Sequence, residues 1–456
     1  MDIFCKGQKY IYDNTVGMIF PAKMFNPSKY RSLCNLSTCK VTRLKIDDFL
    51  LKKGHSCKQL ILEVTSSCSF RCKYCIYSEH YPQSRTHGSQ NMSEETAKKA
   101  IMKYLESFKI IKKVNYSRIP VIGFYGGEPL LNFELIKTCV TFCKGIYNGN
   151  ILFNITTNGY MLDDVEIQNF LSENDFSVTV SLDGDERNHN RNRIDQNGFY
   201  TFEKVYTNVK KFWSRNKNLK LSISACYDFS SSLTTLNDFF DKEDYPILRL
   251  SMVNPDNTSY YDRFSQEEIN RFNEEIQRLN NIFFDQIKKQ NFKLNSFLGY
   301  LFAVPLMEFS FYPKLKQQTS GLLPCSSCCV PGEKIYVNTN GKFLVCERVC
   351  QDLVIGDVDM GIDLAKIEEI LNRFKDLLGN RCGDCNVSRL CSVCFSNVSD
   401  KMSDKDMDLL CSKQKNNIRG ALTEYVSILE LRPDFFDRIS GQYYSALKAM
   451  IGDCRK

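Results

Sequence analysis

Cys68-Ser69-Phe70-Arg71-Cys72-Lys73-Tyr74-Cys75 places three cysteines at C-x3-C-x2-C, directly after the apolar run Leu60-Ile61-Leu62-Glu63-Val64. The run reads as a buried strand, so the three thiolates gather at a strand's carboxyl end, where α/β folds place their chemistry. Three ligands on a four-iron cluster leave one iron free for another molecule. An open position of that kind separates catalytic metal sites from closed structural ones.

Outward from this stretch, strand and helix patterns alternate from about residue 59 to 290. Strand-like runs recur at 119–125, 151–157, 176–182, 219–226 and 246–253, with helical segments near 133–148, 163–173, 201–215 and 231–241. Ser93 reads as an N-cap, followed by Ala97, Ala100, Ile101, Tyr104, Leu105 and Phe108 at helical spacing. A last helix opens at the capping box Ser265-Gln266-Glu267-Glu268 and runs to about 290. Six βα units predict an α/β fold with a parallel sheet, too few to close an eight-stranded barrel. The expected shape is a partial (β/α)6 barrel over 59–291, its open side suited to a large substrate.

The strand ends carry polar strings. Gly126-Gly127-Glu128-Pro129 closes the second strand, its glycines allowing close backbone approach and its glutamate able to face a cation. Thr156-Thr157-Asn158-Gly159 closes the third and Ser181-Leu182-Asp183-Gly184 the fourth, with His189 and Arg193 beyond. Polar residues at successive strand ends are costly unless they bind something. His189, a lone histidine in a loop, reads as structural.

Residues 1–58 read as an appendage or cap containing a hairpin, Lys9–Tyr12 and Gly17–Phe20 around a four-residue turn. Residues 292–324, broken by Pro305, Pro313, Gly321 and Pro324, read as a linker. A second cysteine group fills 325–415, and C-terminal helices follow over 416–456. In that group Cys325, Cys328 and Cys329 precede a hairpin, Lys334–Val337 and Lys342–Val345, which ends in Cys346-Glu347-Arg348. Then come Cys382-x2-Cys385-x5-Cys391-x2-Cys394 and Cys411. A zinc ribbon would want about 15–20 residues between its two pairs, not this short gap. Cys5, Cys34, Cys39, Cys57, Cys139, Cys143, Cys226, Cys350 and Cys454 read as packing residues or free thiols.

The chain has 21 cysteines, and its start, Met1-Asp2-Ile3-Phe4-Cys5-Lys6-Gly7-Gln8, lacks a basic region followed by an apolar core. These features predict a cytoplasmic protein whose cysteines serve metal or redox chemistry rather than disulfides. No apolar run approaches the roughly 20 residues that span a bilayer. A net charge of +7 without long basic runs argues against nucleic acid and suits an acidic peptide.

C-x3-C-x2-C with an aromatic residue before its last cysteine resembles the signature of the radical S-adenosylmethionine (SAM) enzymes. Gly126-Gly127-Glu128-Pro129, one βα unit later, resembles the loop that holds the amino group of SAM there, and the Asn158, Ser181 and Arg193 strings resemble those of the peptide-modifying subgroup. The second cysteine group resembles the extension called SPASM, with two auxiliary 4Fe–4S clusters, and departs from its pattern by one residue before Cys394. The resemblance implies one auxiliary cluster on Cys329, Cys346, Cys394 and Cys325, with Cys328 competing for the last place, and another on Cys382, Cys385, Cys391 and Cys411. Cys68, Cys72 and Cys75 would hold a third, SAM-binding cluster that yields a 5′-deoxyadenosyl radical. An external one-electron donor of flavodoxin or ferredoxin type is implied as well.

Cys-Val-Pro-Gly before the hairpin, Cys346-Glu347-Arg348 after it and Val354-Ile355-Gly356-Asp357-Val358 resemble maturases that install thioether cross-links in cysteine-rich ribosomal peptides. Glu347 is then the candidate catalytic base. The competing readings are an anaerobic sulfatase-maturating enzyme, where an aspartate normally stands at the position of Glu347, and a non-enzymatic iron–sulfur electron-transfer or scaffold protein.

Overall fold

A computed structural model describes residues 1–26, 40–82, 84–215, 220–255, 258–294, 296–311, 321–326, 329–349 and 351–451. Cys34, Cys39, Cys328, Cys350 and Cys454 lie outside the described residues.

Three strands, β1 (Asp2–Cys5), β2 (Gln8–Asp13) and β3 (Met18–Pro21), form an antiparallel sheet in sequence order. The expected hairpin is its β2–β3 arm. The barrel strands follow: β4 (Gln59–Thr65), β5 (Val121–Gly126), β6 (Leu152–Thr157), β7 (Ser177–Ser181), β8 (Lys220–Tyr227) and β9 (Ile247–Met252). They pair in parallel and in sequence order, each joined to the next through a helical crossover.

The helix Glu94–Val114 shows why these segments fold as read. Ser93 caps it by accepting from the Thr96 N–H, and Ala97, Ala100, Ile101, Tyr104, Leu105, Phe108 and Ile111 form its buried stripe. The helix Gln266–Lys288 opens on the full Ser265/Glu268 capping box.

The hairpin of the cysteine-rich segment, β10 (Lys334–Val337) and β11 (Lys342–Leu344), does not stand apart. β10 pairs in parallel with β4, from Lys334 opposite Gln59 to Val337 opposite Leu62. With β12 (Val354–Asp357) and β13 (Gly361–Ile362) it extends the barrel sheet to ten strands among the described residues, in the order β13-β12-β11-β10-β4-β5-β6-β7-β8-β9. Spacing alone cannot show this, because a β-hairpin's local pattern does not name its outer partner.

Two segments differ from their reading. Within 292–324 the chain is helical from Gly299 to Phe311, with Phe302, Ala303, Leu306 and Met307 buried. Pro305 falls where the wide turn Gly299–Ala303 passes directly into the α-helix Val304–Phe311, inside one continuous helical stretch. The boundary at 415/416 lies inside one continuous helix, Asp404–Leu431, which also carries Cys411. That helix packs Ile418, Leu422 and Val426 against Ile3, Cys5, Tyr10 and Tyr12 of the N-terminal sheet. Among the described residues no helix is long and apolar enough to cross a membrane.

Candidate functional site

The cysteine loop starts where β4 runs out. Gly127 N–H donates to Thr65 O and Glu128 N–H to Ser67 O, at 2.9 and 2.8 Å. A Cβ on Gly126 would stand 2.2 Å from Thr65 O, and one on Gly127 would stand 2.1 Å from Ser67 O. Both glycines are therefore required by backbone meeting backbone, Gly126 also by its φ of +143°. On the other side Arg71 N–H donates to Ile194 O and Lys73 N–H to Asn192 O. The loop is fixed at the end of β5 on one side and at the end of the helix Glu186–Asn192 on the other before any thiol is engaged.

The three thiols lie close enough to interact electrostatically with one another and with the Arg193 guanidinium. Phe70 N–H donates to Cys68 Sγ at 3.4 Å and Tyr77 N–H to Cys75 Sγ at 3.5 Å. Burial pushes the Cys68 thiol up to about 12, and raises Cys72 and Cys75 as well. Such thiols become thiolates only when a positive partner compensates them, which a bound metal cluster does. Among the described residues no three His, Cys, Asp or Glu side chains converge on a single ion. Thiolates are the donors that an iron–sulfur cluster takes. The donor set fits it.

Tyr74 links this loop to β7. Its hydroxyl donates to Asp183 Oδ2 at 2.5 Å and accepts from Arg193 Nη1 at 2.8 Å. Asp183 Oδ1 takes the Cys226 N–H, so the carboxylate is met on both oxygens. His189 is buried and structural: Nδ1 accepts from Asp183 N–H, Nε2 faces Thr201 Oγ1, and that hydroxyl donates to Arg193 O. Burial holds its imidazole well below the usual range, hence neutral. Ser181 ends β7, half-buried and opposite Ser224 of β8.

Glu128 is 1% exposed. Oε1 accepts from Leu130 N–H and Thr157 Oγ1, and Oε2 from Asn158 N–H at 2.7 Å. The carboxylate thus sews β5 to β6, a task its motif did not reveal, while Oε2 keeps acceptor capacity for a cation. Asn158 adds a 3.3 Å bond from Nδ2 to Ser69 Oγ in the cysteine loop. Glu128→Gln is expected to weaken both functions, since an NH2 group must then face a donor. The melting point of the iron-free protein should fall, and SAM binding should weaken by about 1.5–3 kcal/mol, the scale of a charge-assisted hydrogen bond. Wild-type melting and SAM affinity in the variant would contradict this.

In the second group the Cys325 thiol hydrogen-bonds those of Cys382 and Cys391, which holds the latter two down and Cys325 up. Cys385 and Cys411 interact with the same pair. The structure thus brings Cys325 against members of the set from which the resemblance separates it. Cys329 and Cys346 are buried, and Cys346 Sγ accepts from Arg348 N–H. Cys394 Sγ lies 2.9 Å from Ser396 Oγ. Glu347 has Oε1 3.9 Å from Lys334 Nζ, and its buried Oε2 has no hydrogen-bond partner among the described residues. The Tyr125 hydroxyl feels both Glu347 and Cys75.

Asp183, Glu63 and Arg85 were not singled out from sequence as site residues. Glu63 carried a signal: a carboxylate inside an otherwise apolar strand must find a partner.

Residues 62–223 match the radical SAM superfamily. The chain is 26% identical over 201 residues to a cysteine-type anaerobic sulfatase-maturating enzyme of Clostridium novyi, covering 42% of this chain and 50% of the relative. It is 26% identical over 226 residues to the radical SAM cyclopropyl synthase TigE of Paramaledivibacter caminithermalis, covering 48% and 46%. The chain spans about half the length of these curated relatives. Its fold is similar to that of native anSMEcpe with bound AdoMet, at a TM-score of 0.59 and 19% identity, over 84% of this chain and 99% of the other.

Proposed function

The chain carries a radical SAM domain over residues 62–223, and from that premise we propose that it is a cytoplasmic enzyme that installs a thioether cross-link in a cysteine-rich peptide. The observation that carries this reading is the shared sheet: β10 joins β4, so Cys346 and Glu347 follow a hairpin anchored on the strand that leads into Cys68, Cys72 and Cys75. When bound, the clusters and SAM supply a 5′-deoxyadenosyl radical that takes a hydrogen atom from a substrate carbon, and an acceptor for the electron left behind.

The protein's residues do the rest. Cys68, Cys72 and Cys75 hold the SAM-binding cluster, with Gly126, Gly127, Glu128, Asn158, Ser181 and Arg193 around SAM. Cys325, Cys329, Cys346, Cys382, Cys385, Cys391, Cys394 and Cys411 hold two auxiliary clusters. Glu347 accepts the proton of the substrate thiol through its free oxygen. A flavodoxin- or ferredoxin-type donor supplies electrons.

The name of the Clostridium novyi relative supports a second reading equally well, oxidation of a cysteine to formylglycine in a sulfatase. Mass spectrometry separates them. A thioether appears as the loss of two hydrogens that survives thiol reduction, whereas a sulfatase-derived peptide that gains an aldehyde moves the protein to the second reading.

A further inference from the structure

Arg85, past the cysteine loop, has a side chain only 1% exposed. A buried guanidinium is costly unless its donors are met. One terminal nitrogen donates to the Tyr336 hydroxyl on β10 and the other to the main-chain carbonyl of Glu347. Nη1 also stands 3.5 Å from the Glu63 carboxylate of β4, which accepts a 2.6 Å bond from Tyr77. The cation lies over the Tyr77 and Tyr336 rings, 5.1 and 4.5 Å from their centroids.

These partners belong to two different cysteine groups. Tyr77 lies just beyond Cys75, and Glu347 adjoins Cys346. The strand ladder cannot couple them, because β10 pairs with β4 only over Lys334–Val337 and β11 stops at Leu344. Glu347 therefore lies outside the sheet. Arg85 grips its backbone, and Glu347 Oε2 is buried without a hydrogen-bond partner among the described residues.

We infer that Arg85 is a positioning residue that fixes the main chain of Glu347 against the Cys68–Cys75 loop, so that the Glu347 carboxylate is presented to the substrate. What that carboxylate then does rests on the proposed function; the clamp itself does not. A lysine keeps the charge but, as a point donor, cannot span both acceptors and stack between two rings.

The test is Arg85→Lys with two readouts. In the iron-free protein, amide hydrogen exchange over 345–349 is expected to quicken about tenfold or more, the scale of one lost charge-assisted hydrogen bond, while exchange of Tyr336 and Val337 in the β10–β4 ladder holds. In the reconstituted enzyme, 5′-deoxyadenosine formation should stay within about threefold, and modified peptide per 5′-deoxyadenosine should drop about tenfold or more. Wild-type exchange over 345–349 overturns the inference, as does unchanged coupling where that exchange has risen. Loss of protection across the whole sheet also overturns it, by making Arg85 a general fold residue. If the unmutated enzyme modifies no peptide, the functional reading fails and the exchange measurement still decides the clamp.

Discussion

Replacing Cys68, Cys72 and Cys75 together by alanine is expected to remove about a third of the protein's iron and all of its SAM cleavage, with the fold intact. The fold should survive because backbone bonds, not thiols, hold the loop. Arg71 and Lys73 donate to Ile194 and Asn192, while Gly127 and Glu128 donate to Thr65 and Ser67. Iron content on anaerobic reconstitution, circular dichroism and 5′-deoxyadenosine release measure the three parts of this expectation. SAM cleavage at the wild-type rate in the triple variant would place the radical chemistry elsewhere.

The second large effect belongs to Glu347. Thioether formation requires the substrate thiol to lose its proton, and the Glu347 carboxylate has one oxygen 3.9 Å from Lys334 Nζ and the other buried without a partner among the described residues. Glutamine preserves the shape and the backbone carbonyl that Arg85 holds, and removes the basic oxygen. Glu347→Gln is expected to keep cleaving SAM and to lose cross-linked peptide by about 10²-fold or more, the range of general base catalysis. Normal thioether yield would return Glu347 to a structural role beside Lys334.

The barrel was legible because its elements announce themselves locally. The Glu94–Val114 stripe, the Ser265 box and the Gly126-Gly127 close approach each follow from short-range spacing. What the sequence did not disclose depends on partners far along the chain. β10 finds β4 from more than 270 residues away, and Arg85 reaches Glu347 across 262 positions. Glu128 reads as a ligand for a cation, yet it also accepts three bonds within its own fold. Burial alone does not tell a binding carboxylate from a structural one. The prolines of 292–324 misled because Pro305 lies inside a helical stretch, directly after the wide turn Gly299–Ala303.

The most direct test of the account is to reconstitute the protein anaerobically with iron and sulfide, reduce it, add SAM, and measure iron content together with 5′-deoxyadenosine. About twelve irons per chain, from three four-iron clusters, and reductant-dependent 5′-deoxyadenosine are expected. Tightly bound zinc without iron, or SAM recovered intact from an iron-loaded and reduced protein, would contradict it.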